Sequence, residues 1–231
     1  MPARCAQLLS DSDVEAALVP IIEYQRLSGV SVVPDVCVGS KQEVRSVVLV
    51  SRHDDLKKVR NVALDESSRT SASLVKIIFR EYLGFEPGWT THSPNLERML
   101  EESDAALIIG DPAMTFSRAQ FRVWDLASLW REHTSLGFVF AMWMVRDEAV
   151  ERCAEIDFAG ARDEGISCRE EIVDHYLPLL GLTRAVLEQY LKENICFSLD
   201  EELREGLNLF FRLARKHGLL RTLEPLKTIN P

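Results

Sequence analysis

The sequence holds five cysteines, Cys5, Cys37, Cys153, Cys168 and Cys196, scattered along 231 residues with no Cys-x-x-Cys pair and odd in number. Such spacing argues against a disulfide framework or a cysteine-bound zinc, so reduced thiols are expected. Long apolar runs are missing too: no stretch reaches the roughly 18 residues of a membrane-crossing helix, and the first residues lack the apolar core of a signal peptide. The expectation is a cytoplasmic chain with no membrane partner. Bases are also in short supply. Lys and Arg number 27 against 36 Asp and Glu, a net charge of −9, which lacks the basic footprint of a nucleic-acid binder. The histidines show no metal-ligand spacing, and no GxSxG, Walker A or dinucleotide fingerprint occurs, so neither a metal nor an organic cofactor is expected. Internal repeats and low-complexity segments are absent.

What is present suits a globular domain: 46% hydrophobic and 27% charged residues, enough to build a sizeable core. The opening "PARCAQLLS" reads as the tail of a helix that turns at Ser10 to Asp13, ahead of an apolar run from Ala16 to Ile22. After a loop, "SVVLVS" (46–51) reads as a buried strand, and strands and helices then alternate. A short strand at Val62 precedes a helix over 71–82 that stops at Gly84; "GWTTH" and "ALIIGD" are further strands, with a helix starting near "SPN" between them. Leu126 to His133 reads as helix, "FVFAMWMV" (138–145) as a long strand, and everything from Arg146 onward as amphipathic helix. This order predicts an α/β fold with parallel strands covered on both faces and a helical C-terminal part.

Two polar clusters carry candidate chemistry. Ser67, Ser68, Arg69, Thr70 and Ser71 stand where the 71–82 helix begins. The first N–H groups of a helix lack internal partners and carry the positive dipole end, so a carboxylate can be held there, with hydroxyls and Arg69 as added donors. A serine or threonine at that place equally well caps the helix, and on composition alone capping is the commoner outcome. The second cluster is Gly110 and Asp111 at a strand end, where open α/β sheets place their ligand loops; a plain turn has the same composition.

Taken together and in order, "ALVPIIEY", "VGSKQEVRSVVLVS", "VALDESSRTSASL", "IIGDPAM", "WDLASLWREHTSLGFVFAMW" and "ICFSLDEELREGLNLFF" resemble the chorismate dehydratases of the futalosine route to menaquinone. The resemblance runs from about Pro2 to about Leu219. It implies a two-lobed, periplasmic-binding-protein-like (type II) fold, with residues 1–51 and 138–231 in the first lobe and 52–137 in the second. It also implies a catalytic serine at Ser46, after the "VG" turn. A further site asparagine, in a "YLN" stretch on the family's first strand, has no counterpart here, and a βαβ portion of roughly 30 or more residues is expected to be missing from the first lobe. "TSLGF", where the family usually has a glycine and a proline, implies a differently shaped turn at Ser135 to Gly137.

The implied activity is dehydration of chorismate to 3-[(1-carboxyvinyl)oxy]benzoate, with chorismate as the small-molecule partner. Ser46 would touch a substrate hydroxyl or carboxylate; Ser67 to Ser71, Gly110 and Asp111 would bind the substrate. Glu23 and Asp111 are the carboxylates available as a general base, and each serves equally as a structural hydrogen-bond partner. Two other readings stay open: a related 1,4-dihydroxy-6-naphthoate synthase, and a protein that captures a small carboxylate without chemistry.

Overall fold

A computed structural model describes residues 2–229. The chain runs α1 (Pro2–Ser10), β1 (Ala16–Pro20), β2 (Val30–Ser40), β3 (Val47–Ser51), β4 (Asn61–Asp65), α2 (Thr70–Ile77), β5 (Gly88–His92), α3 (Leu96–Glu102), β6 (Ala105–Ile109) and α4 (Asp111–Thr115). It continues with β7 (Arg122–Asp125), α5 (Leu126–Thr134), β8 (Phe138–Arg146), α6 (Val150–Cys153), α7 (Phe158–Ser167), α8 (Arg169–Leu180), α9 (Arg184–Gln189) and α10 (Glu201–Lys216). Wide π-helical turns extend α2 to Leu83 and α9 to Asn194. The α2 extension stops at Gly84, whose φ of 76° lies in the left-handed region that favours glycine.

The strands form two sheets, β1-β8-β2 and β5-β4-β6-β3-β7. Among the named strands of the described residues, parallel pairing occurs in β5-β4-β6, and a single parallel bridge joins Val32 to Thr228; β3 is antiparallel to β6 and β7, and β8 is antiparallel to β1 and β2. The expectation of parallel strands therefore holds for β5, β4 and β6 and is corrected for the other strands. The reason is topological: β3 and β8 are the strands by which the chain passes from one sheet to the other, so each runs against its neighbours. β3, which the lobe limits drawn from the sequence put with the first unit, is hydrogen-bonded on both sides within the five-stranded sheet. All five of its residues, Val-Val-Leu-Val-Ser, are buried, which suits β-branched side chains in a central strand.

Val30–Ser40 is a strand where the sequence suggested a loop. Pro34 and Asp35, the latter at φ 59°, interrupt its alternation, and the pairing with β8 slips between Val32 and Cys37 and again between Val38 and Gly39. A bulge of this kind erases the period-two signal while keeping the strand in its sheet. The core joins both sheets around Phe79, Trp130, Phe138 and Phe210, whose rings meet edge to face where Phe138 lies 5.4 Å from Trp130 and 5.0 Å from Phe210. α10 approaches the turn before β8 so closely that a Cβ on Gly206 would fall 2.0 Å from the Gly137 carbonyl oxygen. In that turn Ser135 takes φ 61° and closes α5, its N–H bonding the Arg131 carbonyl at 2.7 Å.

Candidate functional site

Between the two sheets lies a cavity of about 410 Å³, within the usual range of small-molecule sites. Ser46, Ser67, Ser68, Arg69, Thr70, Ser71 and Gly110 all line it, although they come from three separate stretches of chain. The first sheet and α1 supply an apolar wall, including Leu18, Phe140 and Cys5.

The serine cluster is shaped by Asp65 at the end of β4. Its Oδ1 accepts from the Ser67 backbone N–H at 2.8 Å and from Ser67 Oγ at 2.6 Å, which folds the chain toward α2 as an Asx turn does. Thr70 Oγ1 accepts from the Ile22 N–H at 3.3 Å and so ties α2 to the turn after β1. Ser68 Oγ stays buried on the cavity wall without a protein partner. Helices α3, α5, α9 and α10 each carry a side-chain cap (Asn95, Asp125, Thr183 and Asp200), whereas α2 opens on the cavity with none. Its first-turn N–H groups therefore face the cavity with the positive end of the helix dipole and no side chain on them.

Arg69 is a fixed charge. Its Nη1 lies 2.6 Å from Glu23 Oε2, while Arg26 Nη1 lies 2.6 Å from Glu23 Oε1. Glu23 is only 3% exposed, and each of its carboxylate oxygens is engaged by one guanidinium group. Two cations around one anion leave one net positive charge beside the cavity.

Ser46 stands just ahead of β3. Its Oγ accepts from the Tyr190 hydroxyl at 3.0 Å, and its carbonyl accepts from the Gly110 N–H at 2.8 Å. The preceding turn, with Arg45 at φ 63°, is pinned by Asp125, whose carboxylate accepts from the Val44 N–H at 3.1 Å and the Arg45 N–H at 2.6 Å. The same carboxylate caps α5 through the Ala127 and Ser128 N–H groups, each at 3.0 Å. Burial pushes the Asp125 carboxyl above its ordinary range, against the pull of those N–H donors. Burial also raises the Tyr190 phenol, with the Asp111 charge adding to it, so Tyr190 remains a proton donor at neutral pH.

Asp111 is not brought to this cavity. It begins α4, after Gly110 at φ 67°, and lines a separate apolar pocket of about 250 Å³, with Tyr190 forming part of the wall of both. Tyr190, Asp65 and Asp125 join the site without having been singled out from the sequence. Asp65 carried a local signal, an acid two residues before a serine. Tyr190 is 144 residues from Ser46 and carried none.

The model of a family described as menaquinone biosynthesis matches residues 1–216. A chorismate dehydratase from Thermus thermophilus is 30% identical over 229 residues, an alignment covering 91% of this chain and 83% of that protein. A crystal structure of an Archaeoglobus fulgidus protein superposes with a TM-score of 0.71 at 18% identity, covering 95% of this chain and 85% of that one. The alkanesulfonate-binding protein SsuA of Xanthomonas axonopodis pv. citri, bound to MOPS, gives a TM-score of 0.67 at 13% identity over 96% of this chain and 81% of its own. Similarity at such low identities speaks for the fold, which is that of the periplasmic binding proteins: two α/β units with a cleft between their sheets. With a family match along nearly its whole length, the chain belongs to the menaquinone biosynthesis family.

Proposed function

We propose that this protein is a lyase that dehydrates chorismate to 3-[(1-carboxyvinyl)oxy]benzoate and water, working in the cytoplasm. The observation that carries the reading is the convergence of Ser46, the Ser67–Ser71 segment and the uncapped start of α2 on one cavity, in a chain 30% identical to a chorismate dehydratase. Chorismate carries two carboxylates. One is met by the N–H groups that open α2 together with the Ser68 and Ser71 hydroxyls, and the charge of Arg69 offsets the substrate's own. The apolar wall from the first sheet takes the ring.

In this reading the C3 hydrogen, acidified through the conjugated ring carboxylate, leaves as a proton. The C4 hydroxyl leaves with its bonding pair, and the new C3=C4 bond completes an aromatic ring. Aromaticity supplies much of the driving force, so the protein's work is to align C3–H with C4–OH and to hold the enolpyruvyl arm away from the ring. Glu23 is occupied by two arginines and Asp111 lies on another pocket. The proton therefore goes to the substrate's side-chain carboxylate, which passes it to the departing hydroxide to give water and is itself regenerated, while Ser46, oriented by Tyr190, holds the departing oxygen.

The experiment is incubation of the purified protein with chorismate, followed by chromatography of the aromatic product. Folded protein that forms no product overturns the reading. Ser46→Ala should lower turnover by tenfold or more with little loss of folding stability; unchanged turnover removes Ser46 from the mechanism.

A further inference from the structure

A second cavity, of about 420 Å³, lies on the face of the three-stranded sheet beneath α7 and α8. Leu18, Val38 and Trp143 form its floor, while Phe158 and Ile166 of α7 and Ile172 of α8 form its roof. The layer is unfilled: α7 has no buried residue and α8 has one, Val173, although both helices lie over an apolar sheet face. A helix that covers a sheet normally buries a stripe of side chains against it.

The charge in this cavity is of one sign. Arg162 and Arg169 line it, and no Asp or Glu does. Arg162 is engaged, through Asp163 and the Asp35 carbonyl. Arg169 forms no ion pair among the described residues, and its Nε is buried without a hydrogen-bond partner. A guanidinium left unpaired beside an apolar cavity is costly, and a carboxylate that meets its terminal nitrogens is its natural complement.

We infer that this cavity is a second small-molecule site that takes an apolar monocarboxylate, its body between the sheet and α7 and its carboxylate on Arg169. The site is distinct from the cleft, which Ser46 and Ser68 line, but the two share Leu18 and Val38 as a common wall. No step of the dehydration is required of it.

Trp143 makes the test direct. Decanoate and decanol serve as a charged and a neutral probe of one size, and 10-bromodecanoate quenches a tryptophan it touches. Decanoate should bind saturably and at least tenfold more tightly than decanol, since a hydrogen bond to a charged partner is worth about a tenfold to hundredfold change in affinity. Arg169→Gln should abolish the preference for decanoate, and Trp143→Phe should remove the quenching by the brominated acid while decanoate still binds. Ser46→Ala should change none of these. Absence of saturable decanoate binding overturns the inference. So does binding that is indifferent to Arg169→Gln, or quenching that survives Trp143→Phe.

Discussion

Glu23 joins Arg26, three residues along, to Arg69 at the start of α2, and so fastens the turn after β1 to the opposite side of the cleft. Unit charges about 4 Å apart attract by about 4 kcal/mol at the effective dielectric of about 20 that suits protein sites. The carboxylate side chain is only 4% exposed and loses hydration, while the Arg69 and Arg26 side chains, 34% and 39% exposed, keep part of theirs. Desolvation and screening therefore cancel a good part of the attraction, leaving about 1–3 kcal/mol for the Glu23–Arg69 pair. A double-mutant cycle with Glu23→Gln and Arg69→Met, read from denaturant unfolding with linear extrapolation, isolates that number. Each single variant should be destabilised, Glu23→Gln more so because it leaves two guanidinium groups facing each other. A coupling below about 0.5 kcal/mol would refute the role assigned to the pair. Raising the salt concentration should weaken the coupling only in part, since the carboxylate is shielded from bulk ions.

Tyr190→Phe removes the donor to Ser46 Oγ and should lower turnover of chorismate several-fold while costing about 1 kcal/mol of stability; equal turnover would show that Ser46 orients itself. Burial pushes the Cys37 thiol up to about 12, so it should resist iodoacetamide at pH 8 in the folded protein and react on unfolding; alkylation of Cys37 in the native state, seen by peptide mass mapping, would contradict its burial. The Asp125 carboxyl is raised by burial, so its contribution to stability is fully present below the ordinary aspartate value of 3.8 and is lost as pH rises through the folded value. Asp125→Asn should therefore flatten the decline in unfolding midpoint across that window, and an unchanged pH profile would reject the shift.

Elements whose side chains announce themselves locally were legible before the fold was known. β3 is a buried, valine-rich run, and the helix from Thr70 ends at Gly84 because the chain needs a left-handed residue there. The serine cluster opening that helix could be located, but its use could not: the choice between cap and ligand site turns on where Asp65, Ile22 and Glu23 lie. The structure assigns Ser67 to Asp65, Thr70 to the Ile22 N–H and Arg69 to Glu23, and leaves Ser68 Oγ buried beside the cavity without a partner.

The sequence by itself determined the alternation of strands and helices, the helical C-terminal part, the family, and the stretches that hold Ser46 and Ser67–Ser71, because periodicity, turn residues and ordered motifs are properties of neighbouring residues. Tertiary structure decided the rest. The antiparallel course of β3 and β8, the bulged β2, the meeting of Tyr190 with Ser46, the exclusion of Asp111 from the cleft and the neutralising of Glu23 all depend on contacts between residues far apart in the chain. Hydrogen bonds and ion pairs act over about 3 Å in space whatever the separation in sequence, so only the folded chain could bring those partners together.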